Sequence, residues 1–229
     1  MNMRFLTIAV LAACGGGGDS VDAPNVPSTI NVSGVASSIG IGGRTPVQGV
    51  LVEAYRNGAD STVVAMATSD AAGMFTVQIS TNGGALDGYL LAKHASFKHT
   101  YLYPPAPLAA DTNAATVLLL SESTFDNAAA LAQAPQEPGK GWIGIMVIDA
   151  ANNPVAGATI SSSPAGIVRY NGDSGLPNRN ATVTAADGIG YVFNVAAGTV
   201  NVSASKSGST FQSHDVNARA DQVTTTLIQ

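Results

Sequence analysis

The tetrapeptide Pro46-Val47-Gln48-Gly49 returns in the second half of the chain as Pro154-Val155-Ala156-Gly157. Two further echoes follow in the same order. Thr68 to Phe75 ("TSDAAGMF") is matched by Thr184 to Tyr191 ("TAADGIGY"), and Gly88-Tyr89-Leu90-Leu91 by Gly198-Thr199-Val200-Asn201, with Lys93 and Lys206 downstream. An ordered internal repeat constrains a chain more than composition does, because each copy must be a unit that folds the same way. The 229 residues therefore divide into tandem domains.

Each unit reads as antiparallel β structure. Val50, Val52 and Ala54 alternate with Leu51, Glu53 and Tyr55, and Phe75, Val77 and Ile79 with Thr76 and Gln78, the period of a strand with one face on a core. Pro46 and Pro154 fix φ for a turn, and the glycines three residues later admit positive φ. Asp187-Gly188 reads as a tight turn before the Tyr191-Val192-Phe193 strand. Hydrophobic residues make up 45% of the chain and charged ones only 11%. Polarity is carried by Ser, Thr, Asn and Gly, which favour strands and turns over charged helices. One helix is expected, in "SESTFDNAAALAQA", with Ser123 as its cap and Asp126 three residues on, ended by "PQEPGKG".

The repeated motifs resemble the carboxypeptidase regulatory-like domain, a transthyretin-like sandwich with Greek-key connections. The family pattern of Pro-hydrophobic-x-Gly-Ala, Asp-x-x-Gly-x-Phe and Gly-x-Tyr is met in one unit by Pro46 to Val50, Asp70 to Phe75 and Gly88-Tyr89. In the other it is met by Pro154 to Ala158, Asp187-Gly188 and Gly198-Thr199. The resemblance implies an all-β fold of two tandem Greek-key β-sandwich domains, transthyretin (prealbumin)-like, with one short linker helix. The boundaries expected are a leader at 1–13, a tether at 14–28, domains at 29–121 and 142–229, and the helix and linker at 122–141.

Arg4 and the apolar run Phe5 to Val10 form a leader too short to span a bilayer. Leu11-Ala12-Ala13-Cys14 resembles the bacterial lipobox, in which the peptidase cuts before the cysteine and the thiol takes the lipid. Cys14 is the only cysteine, so no intramolecular disulfide can form. Gly15 to Gly18 and the residues up to Pro27 read as a flexible tether. The residue after the cysteine is not Asp, which points to the outer membrane, with the protein facing the periplasm or the cell surface. The partner implied is the membrane, through this anchor, with a polysaccharide or another envelope protein as a further partner.

Chemistry is sparse in the sequence. Ten basic residues against fifteen acidic ones, scattered singly, exclude a nucleic-acid footprint. His94, His99 and His214 lack the spacing to an acid that a zinc site of the carboxypeptidase kind requires. His94, His99, Tyr101 and Tyr103 supply the ligand types of an iron dioxygenase, but from one short run of chain. His214-Asp215 has no nucleophile elbow to partner it. No cofactor and no metal is expected, and the reading is a non-catalytic binding or structural module. The alternative is an enzyme with an unrecognised site on a transthyretin-like fold. Two loops are the candidate contact surfaces: Tyr101 and Tyr103 leading into Pro104 to Pro107, and a lengthened segment, Ala165 to Asn180, presenting Tyr170 and Arg179. Trp142 is expected in the core.

Overall fold

The computed structural model describes residues 26–40, 43–58 and 62–229. The leader and Cys14 lie outside the described residues. The first half holds β1 (Thr29–Gly40), β2 (Gly43–Pro46), β3 (Leu51–Arg56), β4 (Val63–Thr68), β5 (Met74–Ser80), β6 (Gly88–Lys93), β7 (Thr100–Tyr103) and β8 (Thr112–Leu119). After helix α1 (Glu122–Leu131) come β9 (Lys140–Val147), β10 (Thr159–Ser163), β11 (Ile167–Asn171), β12 (Pro177–Asn178), β13 (Ile189–Ala196), β14 (Gly198–Ser205), β15 (His214–Ala218) and β16 (Val223–Ile228). Among the described residues the fold is all-β, as two sandwiches in tandem with one short helix.

The two halves repeat the same pairings. In the first, β1 lies between β5 (antiparallel) and β8 (parallel), and β6 lies between β3 and β7. In the second, β9 lies between β13 (antiparallel) and β16 (parallel), and β14 lies between β10 and β15. The halves are not separate sheets, however. β7 pairs in parallel with β16 from Val223↔Thr100 to Thr226↔Tyr103. One nine-stranded sheet therefore runs β12-β11-β13-β9-β16-β7-β6-β3-β4 through both halves.

The faces of that sheet change roles at the joint. Under the first half, Val52, Ala54, Leu90 and Ala92 pack inward with Ile30, Val77 and Val117 of the smaller sheet. Under the second, the opposite face is the core side, where Ile143, Ile145, Val192 and Ile228 meet Val200, Val202 and Val216. Trp142, Phe193 and Val223 then point to the first half's core side, where α1 covers them with Phe125 and Ala129. Trp142 is thus core, stacked 4.8 Å from Phe193 and tilted 5.0 Å from Phe125.

The repeat has a physical basis in one turn. Ser69 Oγ donates to the Val47 carbonyl (2.7 Å) and accepts from the Val50 amide (2.9 Å). Thr184 Oγ1 does the same between Val155 (2.7 Å) and Ala158 (2.9 Å). Both hydroxyls belong to buried residues, and Gly49 and Gly157 take the same φ of 78° inside the turn. Gly73 and Gly188 come so close to the Ala36 and Val147 carbonyls that a Cβ would sit 2.4 and 2.5 Å from them. These contacts pair Ser69 with Thr184 and Gly73 with Gly188. The sequence echo, which sets Thr68 against Thr184, is therefore displaced by one residue.

Two local expectations are corrected. The helix is capped by Ser121, whose Oγ accepts from the Thr124 amide at 3.2 Å, rather than by Ser123. Leu120 before the cap and Phe125 in the first turn are both buried in the same cluster, a hydrophobic staple that fixes the entry point. The segment Ala165 to Asn180 is not a free loop. Its β-branched residues form β11, which leaves β10 and adds to β13, with Tyr170 opposite Gly190. Gly166 permits that crossing, since a Cβ there would stand 2.5 Å from the Phe193 carbonyl.

Replacing Thr184 by Val keeps the shape but strands a buried amide and a buried carbonyl. The variant should lose about 1–3 kcal/mol of stability, read as a lower urea midpoint with an unchanged slope, and Ser69→Ala should behave alike. Ser161→Ala, at an exposed hydroxyl pair with Ser203, should change it by less than about 0.5 kcal/mol.

Candidate functional site at the joint

Alternation on β3, β6 and β7 places Tyr55, Tyr89, Tyr101 and Tyr103 on the face turned away from the first half's core. The register sets Tyr55 opposite Tyr89 and carries the row on to Tyr103. The rings stack at 5.2 Å for Tyr55–Tyr89 and 5.0 Å for Tyr89–Tyr103. Arg219, which follows β15 in the second half, lays its guanidinium over Tyr101 (4.8 Å) and Tyr89 (5.6 Å). Such contacts contribute about 0.5–2 kcal/mol each. The far end of the row is polar: the Tyr55 hydroxyl donates to Glu53 (2.7 Å), and Lys93 pairs with the same carboxylate (2.6 Å). Burial raises the Glu53 carboxyl, but Lys93 and the Tyr55 hydroxyl outweigh it and hold the group below its ordinary range.

A cleft of about 390 Å³ opens where this row ends, between the loop Tyr103 to Pro107 and the start of β15. The loop is held at both ends, by the β7–β16 pairing and by reciprocal 2.8 Å backbone bonds between Leu86 and Leu108. Two amide–acid pairs line the cleft, one from each half: Asn57 Nδ2 donates to Asp87 at 2.7 Å, and Asn201 Nδ2 to Asp215 at 2.8 Å. Gly88 lies beside them without a side chain, as it must, because a Cβ would meet the Tyr55 carbonyl at 2.0 Å.

His214 also lines the cleft, and its bonding fixes its tautomer. Thr226 Oγ1 donates to the Tyr103 carbonyl (3.0 Å), so its oxygen accepts from His214 Nε2–H at 2.7 Å. Nδ1 is then a bare acceptor, buried and without a protein partner among the described residues. Burial pushes the His214 pKa down, with Asp215 partly opposing it, so the ring is neutral at pH 7. Asp215 bonds Asn201 rather than His214, and the hydroxyl that His214 does reach is on buried Thr226. No acid–base–nucleophile relay is assembled here. Among the described residues, no three His, Cys, Asp or Glu side chains converge as a metal would need.

The candidates read from sequence divide sharply. Tyr101 is half-buried beneath Arg219. Tyr103 is 3% exposed, and burial pushes its phenol up to about 12, so it supports the cleft from within. Tyr170 is corrected outright. It is 5% exposed, and its hydroxyl accepts from the Ile160 amide at 2.8 Å, tying β11 to β10. Arg179 is exposed, beside a shallow groove that also holds Leu131 and Leu176. Asn57, Asp87, Asn201 and Arg219 were missed. Their only signal is a polar residue in or beside a strand, which sequence shares with many solvated positions.

No family model matches the chain, and no curated protein does. Solved structures with loosely similar backbones include the shaft pilin SpaA from Lactobacillus rhamnosus GG, 15% identical, covering 87% of this chain and 97% of that one, with a TM-score of 0.28. GBS52, the minor pilin of Streptococcus agalactiae, is 13% identical over 86% of this chain and 94% of its own, at 0.27. A streptococcal ancillary pilin is 14% identical over 88% and 62%, at 0.27. Superpositions this loose carry no argument about function.

Tyr170→Phe should cost about 1–3 kcal/mol by leaving the Ile160 amide unpaired, whereas Arg179→Ala should stay within about 0.5 kcal/mol. Thermal melts of both variants check this. The depressed Glu53 pKa means that its contribution is complete above the ordinary carboxylate range and is lost as pH falls below it. Glu53→Gln should flatten the acid limb of a stability–pH curve.

Proposed function

We propose that the protein is a cell-envelope lipoprotein, anchored to the outer membrane through Cys14, whose two sandwiches form a non-catalytic binding or structural module. The Leu11-Ala12-Ala13-Cys14 motif and the glycine-rich stretch after it support the anchor. One observation carries the non-catalytic half of the reading: the polar side chains at the joint bond one another in amide–acid pairs and activate no nucleophile. A cleft fixed between rigid strands, with its loop held at both ends, suits recognition of a partner outside the cell. The membrane is the partner through the lipid, and a polysaccharide or another envelope protein is the partner through the folded part.

Cys14→Ser should move the full chain from the detergent phase to the aqueous phase when both forms are expressed in a bacterial host. It should also remove a labelled fatty acid from the protein band. Unchanged partition and labelling would overturn the anchor.

A further inference from the structure

We propose that the cleft at the joint binds a neutral, hydroxyl-rich saccharide. The inference deepens the binding half of the reading above and is independent of the anchor. The polar groups of the cleft are mostly acceptors. One N–H of each of Asn57 and Asn201 is turned to Asp87 or Asp215, which leaves the amide oxygens and the second carboxylate oxygens free beside a single remaining N–H on each amide. Neither aspartate is ion-paired among the described residues, where the salt bridges are Lys93–Glu53 and Lys98–Glu122. The cleft thus repels phosphates and acidic sugars and calls for donors.

A point cation is the alternative ligand for such acceptors, and their placement disfavours it. They are divided between two amide–acid pairs, one in each half, and Asp87, His214 and Asp215 do not converge on a common point. Dispersed acceptors match dispersed donors, as on the hydroxyls of a sugar ring, each giving one proton. Pro104, Pro105 and Pro107 supply the complementary surface, ring carbons without N–H groups that lie against the C–H face of such a ligand. About 390 Å³ is room for one or two sugar rings.

Cello-, malto- and chito-oligosaccharides are the probes, with an oligogalacturonate and lysine amide as controls. All are titrated against the full chain by calorimetry and saturation-transfer NMR. At least one neutral oligosaccharide should bind, and both controls should fail. Asp215→Ala and Asp87→Ala should each weaken that binding about tenfold or more, the loss of a hydrogen bond to a charged group. Their melting temperatures should hold, because both side chains are exposed. Val64→Lys, on the remote edge strand β4, should leave binding intact. The proposal fails if none of the three binds at ~10 mM, if lysine amide binds instead, or if both aspartate variants bind as well as the parent chain. None of these outcomes touches the detergent partition set by Cys14.

Discussion

Everything in this fold is arranged around β16. The strand is hydrogen-bonded on both edges, to β9 of its own half and to β7 of the other, and both pairings are parallel. Parallel ladders need both faces covered. One face of β16 is covered by the second half's core through Thr224, Thr226 and Ile228, and the other by α1 through Val223. The helix therefore seals the joint between the sandwiches and does more than space them apart.

The same constraint places the cleft. Because β7 pairs with β16, the loop after Tyr103 is brought against the start of β15. Asn57 and Asp87 then share a cleft with Asn201 and Asp215, residues far away in the chain. Arg219 fastens the arrangement from above by lying on two tyrosines of the other half. The aromatic row thereby fixes how the polar side chains face each other, which a flexible linker between two domains could not do.

Sequence made the local structure legible and left the joint hidden. Alternation in "LVEAYR" and "FTVQI", and the proline-to-glycine turns, mark strands because side-chain period and φ preference are local properties. The pairing of Thr100–Tyr103 with Val223–Thr226 is not local, and neither segment carries a motif for it. Tyr170 misled for a related reason. Its neighbours Asn171, Gly172, Asp173 and Gly175 are turn formers, yet they close a hairpin whose first strand ends in the buried Tyr170 and Asn171. Arg179, past that hairpin, is exposed as read. The meeting of the two acid–amide pairs in one cleft was invisible, since what brings one pair to the other is the edge contact of two sandwiches.

The aromatic row has no counterpart in the second half. The equivalent outward face of β10, β14 and β15 carries Ser161, Ser203, Asn201 and Asp215, bonded among themselves. A further sandwich docking there as the second docks on the first would have to dehydrate these groups against an apolar core, at a cost of several kcal/mol in all. The joint is thus directional. One copy of the repeat is built to receive a neighbour on this face, and the other presents a water-compatible face in the same place.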